Sequence, residues 1–211
     1  YAAKQLRNSI TSANVYLTFG YVSPWVNELN PPQANTSTDS INETWKYMLG
    51  GKRITASDVR HVVPRHDWTA GTVYTPYDNT VDSLTLKSAN SAMYVITDNF
   101  NVFKCISNNY GGPSLYKPTS TNPASQFQTA DLYIWKFMYS LTSEEQLRFL
   151  TPDFMPVKTL LGNDNSLQWQ VQYDAVPGAI HRILPTSPGT GYTTDDISVV
   201  IKGDGRYANA Y

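Results

Sequence analysis

The sequence predicts an α+β fold that is mainly β, with a few short helices and, from residue 163, the start of a β-rich domain. Three observations carry that expectation. Two period-two runs, Met93 to Thr97 and Val102 to Ile106, flank Asp98-Asn99-Phe100-Asn101, the pattern of a hairpin with an Asn/Asp turn. The bulky run Leu132 to Tyr139 reads as a strand covered on both faces. Capping boxes of the S/T-x-x-E type, Ser40 with Glu43 and Thr142 with Glu145, open helices that the following sequence keeps short.

In chain order, residues 2 to 10 contain good helix formers, and VYLTFG, Val15 to Gly20, reads as a buried strand broken by Pro24-Trp25. Residues 30 to 38 are a loop by composition. Behind Ser40, the residues Ile41, Trp45, Met48 and Leu49 recur at helical spacing, which makes Trp45 a core anchor, and Gly50-Gly51 ends that helix. A second short helix capped by Ser57 must stop near Val62, because Pro64 forces Val63 into extended geometry. Residues 108 to 128 form a long loop, and Leu147, Phe149 and Leu150 lie on the helix behind Thr142. Past Gly162, Leu167, Trp169, Val171 and Tyr173 alternate with Gln168, Gln170 and Gln172, which predicts a strand with one wet face. Ala179 to Leu184 and Ile197 to Ile201 read as further strands, so the predicted division is 1–162 and 163–211. Tyr1 falls inside a helix-like stretch and Tyr207, Asn209 and Tyr211 alternate to the last residue, the pattern of a fragment of a longer protein.

Composition narrows the function. Charged residues make up 16% of the 211, against roughly 25% in soluble domains. Polarity comes instead from Asn, Thr, Ser, Gln and 15 Tyr. That balance suits a surface occupied by neighbours, although an extracellular carbohydrate binder shares it. A net charge of -1 with no basic run beyond Lys52-Arg53 argues against nucleic-acid binding, and the longest bulky run is far too short to span a bilayer. The single Cys105 excludes an internal disulfide framework and reads as a buried inert thiol.

The densest cluster of chemistry-bearing residues is HVVPRHDW, residues 61 to 68. As a catalytic or metal site it lacks parts. The only other histidine is His181, and no G-x-S-x-G nucleophile motif is present. Adjacent residues of an extended segment point to opposite sides, so His66 and Asp67 do not face one another. Arg65 and Asp67 do share a side, where they can pair or bind neighbouring backbone while Trp68 seals a corner into the core. Asp195-Asp196 and Gly203-Asp204-Gly205 read as turns, and no catalytic residue, metal ligand or cofactor is assigned.

These segments assemble into a resemblance. Tyr16-Leu17-Thr18-Phe19-Gly20 with Pro24-Trp25, Thr44-Trp45-Lys46-Tyr47-Met48-Leu49-Gly50, Val62-Val63-Pro64-Arg65-His66-Asp67-Trp68 and Tyr133-Ile134-Trp135-Lys136-Phe137 resemble, in order and spacing, one phage protein family. That family is the baseplate wedge subunit encoded by gene eight of the T-even contractile-tailed bacteriophages. The resemblance covers roughly residues 1 to 157, and the Trp45 to Trp68 spacing is its most specific part. It implies a non-enzymatic virion protein of the tail baseplate, assembled in the bacterial cytoplasm. It further implies a homodimer that contacts other wedge proteins, with tail fibres as a further expected contact. Phe19, Gly20, Pro24, Trp25, Trp45, Pro64, Arg65, Asp67, Trp68 and Trp135 then read as fold determinants. The chain departs from the family by being more compact over Thr72 to Gln128. Beyond Gly162, Ser187 to Thr193 looks like a G-x-GYT strand-turn repeat found in phage structural proteins. Two rival readings are a fibre-base or host-attachment protein, expected to be trimeric, and a glycan-degrading enzyme, which needs a cleft with paired acids.

Overall fold

The computed structural model describes residues 5, 8–10, 12–20, 24–27, 29–30, 33, 35–81, 92–175, 180, 183 and 190–191. It forms two compact units, Tyr1–His61 and Val62–Tyr211. The fold is α+β and mainly β, built from antiparallel sheets and a few short helices.

In the first unit, Gln5, Asn8–Ile10 and Ser12 are helical, with Ser9 Oγ donating to the Gln5 carbonyl at 3.0 Å. Strand β1, Val15–Gly20, pairs antiparallel with β2, Met48–Ile54, in the register Val15 with Ile54 and Leu17 with Lys52. β1 is a strand as its sequence predicts, but it is exposed along most of its length, contrary to the expectation of burial. Helix α1 spans Thr38–Tyr47, and its cap is Ser37, not Ser40. Asn35 decides this, because its Oδ1 accepts from both the Ser37 amide at 3.0 Å and the Ser40 hydroxyl at 2.7 Å. The Ser37 hydroxyl is thereby held where the Ser40 amide can donate to it at 3.2 Å.

The helix ends at Tyr47 because Met48 turns extended and enters β2. Gly50 and Gly51 therefore do not stop a helix; they are strand residues opposite Phe19 and Thr18. Gly50 lies beneath the Phe19 ring, and a side chain at Gly20 would meet the Tyr47 carbonyl oxygen at 2.2 Å, so only glycine fits there. Trp45 is 69% exposed, which overturns the expectation of a core anchor. Helical spacing does place Ile41 and Trp45 on one face, but no apolar layer among the described residues of this unit covers that face. The predicted second helix is a single 3-10 turn, Ala56–Asp58, led by Thr55 in place of Ser57. Its Asp58 carboxylate takes the Thr55 amide at 2.9 Å and Lys52 Nζ at 2.6 Å. The Lys52 bond first, then those from Thr55, hold this carboxyl well below the usual carboxylate range.

The second unit holds the core. β4, Tyr94–Ile96, and β5, Asn101–Asn108, form the expected hairpin, with Phe100 at φ 56 completing the turn. β6, Phe127–Gln128, and β7, Tyr133–Ser140, complete a sheet of order β4-β5-β7-β6. Alternate residues of β7 are buried and half-buried, so its second side is only partly covered, and Leu132 lies outside the strand at φ 64. Val95, Phe103, Cys105, Tyr133, Trp135 and Phe137 pack with Tyr74, Ala92 and Val171. A second cluster joins Ile96, Val102, Tyr139, Leu141 and Met155. There β3, Val62–Pro64, pairs with β8, Phe154–Pro156. Helix α2, Ser143–Phe149, carries the predicted Thr142 and Glu145 capping box, with the Thr142 amide donating to Glu145 Oε2 at 3.0 Å.

Leu167–Tyr173 is a helix, α3, and not the predicted strand. The alternating pattern also contains the i,i+4 pairs Leu167 with Val171 and Trp169 with Tyr173, so periodicity alone fits both structures. Two local facts select the helix: the Ser166 hydroxyl accepts from the Trp169 amide at 3.1 Å, and the interleaved glutamines are good helix formers. The expected strands at 179–184 and 197–201 and the G-x-GYT segment lie outside the described residues, apart from Ile180, Ile183, Thr190 and Gly191.

Candidate interaction surface

HVVPRHDW is a corner. The Arg65 amide donates to the Asp153 carbonyl at 2.9 Å and its Nη1 to the Thr151 carbonyl at 3.1 Å, tying the segment to the chain that leads into β8. Arg65 Nε donates to Asp67 Oδ1 at 3.0 Å, the i,i+2 pairing expected from an extended segment. The Ile96 amide donates to the His66 carbonyl and the Trp68 amide to the Ile96 carbonyl, both at 2.9 Å, so the segment runs beside β4. Trp68 packs on the main core and its Nε1 donates to Ser114 Oγ at 3.1 Å. The Asp67 carboxylate thus serves Arg65. Among the described residues no group of three or more His, Cys, Asp or Glu is placed to hold a metal ion, and no helix is long and apolar enough to cross a membrane.

The family-like residues divide between the units. Pro64 lies in β3, Arg65, Asp67 and Trp68 build the corner, and Trp135 is fully buried in the core of the second unit. Phe19, Gly20, Pro24, Trp25 and Trp45 lie in the first unit, and all five are exposed. Phe19 is 65% exposed, and Leu17, Trp25, Val26, Leu29, Ile41 and Leu49 are exposed with it. Ile10 is the one buried hydrophobic residue among the described residues of this unit. On β1, Leu17 and Phe19 share a side with their partners Lys52 and Gly50, and on α1 Ile41 and Trp45 form an i,i+4 stripe. A two-stranded ribbon is at best marginally stable in water, and this one carries its large apolar side chains on the outside. Leu17 and Phe19 on the strand and Ile41 and Trp45 on the helix are thus exposed apolar pairs.

Sequence reasoning buried β1 and made Trp45 a core anchor because it ran the helical spacing of Ile41 and Trp45 on through Met48 and Leu49, which lie in β2, and assumed that each apolar face has a cover within the chain. The signal available was Gly50-Gly51, which leaves β2 without side chains opposite Thr18 and Phe19.

Two further features of the second unit have no sequence signature. Asp131 collects the amides of Leu115 at 2.6 Å and Tyr116 at 3.1 Å and the Thr129 hydroxyl, fixing the long loop against the start of β7. Burial acts to raise this carboxyl, but the bonds from Thr129, Tyr116, Leu115 and Tyr133 together bring it below its ordinary value. Lys104 is 6% exposed within β5, with its Nζ 4.2 Å from the centre of the Tyr77 ring. Burial first, and the neighbouring Lys136 charge second, push its ammonium down to about 8.

Comparison with known proteins bears on the same residues. The family model described as "Bacteriophage T4, Gp8" matches residues 5–115. That span takes in every family-like residue above except Trp135. The chain is also similar to the "Baseplate wedge protein gp8" of Enterobacteria phage T4, with 22% identity over 209 residues, covering 77% of this chain and 62% of that protein. The chain therefore spans less than two thirds of the length of the curated relative it matches.

Proposed function

The chain belongs to the bacteriophage T4 Gp8 family, and on that premise we propose that it is a structural component of a baseplate wedge in a contractile phage tail. It works by protein-protein contact, without chemistry of its own, and is located in the virion at the tail baseplate. The observation that carries this reading is the outward-facing apolar surface of the first unit, which a wedge assembly would cover. The corner residues Pro64, Arg65, Asp67 and Trp68, with Trp135, hold the second unit in shape, while Phe19, Trp25 and Trp45 act at the contact surface. The partners are a second copy of the chain, other baseplate wedge proteins and, at the periphery, tail fibres. Beyond α3, the G-x-GYT-like segment Ser187 to Thr193 belongs to a β-rich extension.

The test is complementation of a phage lacking this gene. Wild-type protein is expected to restore particles with complete baseplates. A Phe19→Ser, Trp45→Ser double variant that still folds is expected to leave wedges unassembled. Normal baseplates from that variant would contradict the reading, and light scattering of the purified chain that shows no dimer at any concentration would remove the second copy from the list of partners.

A further inference from the structure

We propose that the outer face of α3, together with the turn that precedes it, is a binding groove for a neutral glycan. The helix is fixed from its inner side. Val171 is buried in the main core, Gln168 Nε2 donates to the Lys158 carbonyl at 3.3 Å, and Gln172 exchanges two bonds with the Leu160 backbone at 3.0 and 2.6 Å. On the other side Trp169 and Tyr173, four residues apart, set their rings nearly parallel, with centroids 6.4 Å apart and planes 28° from one another. Tyr173 is 75% exposed. These rings line a groove of about 440 Å³ with Asn163, Asn165, Gln170 and Asp174. Asn165 sits at φ 59, with its amide donating to Asn163 Oδ1 at 2.8 Å, so the turn is held in a defined shape.

The lining selects the ligand class. An aromatic face attracts the C–H face of a sugar ring, and Tyr173, the more exposed of the two rings, offers such a face to the groove. Primary amides carry a donor and an acceptor side by side, and with the Asp174 carboxylate they match neighbouring hydroxyl groups. Among the described residues no lysine or arginine lines the groove, so the lining suits a neutral ligand better than a phosphate or sulfate, and the amides argue against an acyl chain. The volume falls within the range of ordinary ligand sites. None of these residues lies in the span matched by the family model, so the inference stands independently of the baseplate reading.

The experiment is saturation-transfer difference NMR on the 211-residue chain with cellohexaose, chitohexaose and maltohexaose as probes at millimolar concentration. Saturation transfer to the ring protons of at least one probe is expected. Its affinity should fall by about tenfold or more in Trp169→Ala and in Tyr173→Ala, and stay unchanged in Tyr110→Ala, at an exposed ring outside the groove. Melting curves check that each variant folds, and should Trp169→Ala fail to fold, the exposed Tyr173 decides alone. No transfer to any of the three probes, or transfer that survives Tyr173→Ala undiminished, would overturn the proposal.

Discussion

The two units use the same residue types in opposite ways. In the second, Phe137 on β7 meets Phe103 on β5 edge to face at 5.9 Å, Trp135 meets Tyr74 edge to face at 5.6 Å, and the strands close around them. In the first, Phe19 and Trp45 stand on a two-stranded ribbon and a ten-residue helix, 65% and 69% exposed. The difference is the number of layers. A sheet side or helix stripe becomes core only when a second layer covers it. The second unit supplies that layer from Tyr74, α3 and the β3–β8 pair, and the described residues of the first unit do not.

The largest expected effect sharpens this contrast at its core end. Trp135→Ala should destabilise the chain by about 3 to 5 kcal/mol in a denaturant melt, because the ring is fully enclosed and stacked on Tyr133 at 5.5 Å. A loss below about 1 kcal/mol would mean that the core is loosely packed.

Next comes the buried lysine of β5. In the unfolded chain Lys104 keeps its proton up to about 10.5, whereas in the fold it loses it near 8. Between those values the unfolded state binds more protons, so stability should rise with pH, by an amount on the order of 1 to 3 kcal/mol. Above about pH 10 the trend should reverse. Burial pushes the Tyr94 phenol up to about 12, so there the folded state holds the extra proton. Thermal melts from pH 7 to 10 should show the rise, and Lys104→Met should abolish it; a flat profile in the wild type would contradict the assignment.

Matched caps probe the two units with one kind of substitution. Thr142→Ala removes the α2 cap and should cost about 1 kcal/mol in a global melt, because α2 is joined to the β8 region of the core. Ser37→Ala removes the α1 cap and should be seen as local fraying of α1 by hydrogen exchange, leaving the global transition in place. Equal global effects would show that the two units unfold as one.

The smallest effect is the most pointed. Trp45→Ala should change the stability of the isolated chain by less than about 0.5 kcal/mol, as expected for an exposed site, and yet impair wedge assembly.

What the sequence disclosed follows the same division. The hairpin at Asp98 to Asn101, the Thr142 cap and the Arg65–Asp67 corner were legible, because each depends on residues a few positions apart. The family resemblance rested on Trp45, Trp68 and their spacing, and it did not require knowing which tryptophan is buried. Burial was legible at Cys105 and along β7 but not on β1, since Phe19 and Phe103 differ only in what distant chain lies above them. The α1 cap moved from Ser40 to Ser37 through Asn35, a side chain five residues upstream of Ser40. The alternation of Leu167 to Tyr173 fitted both a strand and a helix until the Ser166 cap and the packing of Val171 decided it.

Hydrogen exchange of the β1 and β2 amides, compared between the isolated chain and the same chain in assembled baseplates, tests the central claim most directly. Rapid exchange alone and strong protection in the baseplate, with β5 and β7 protected in both, is the predicted result. Protection of β1 equal to that of β5 in the isolated chain, or continued rapid exchange after assembly, would contradict it.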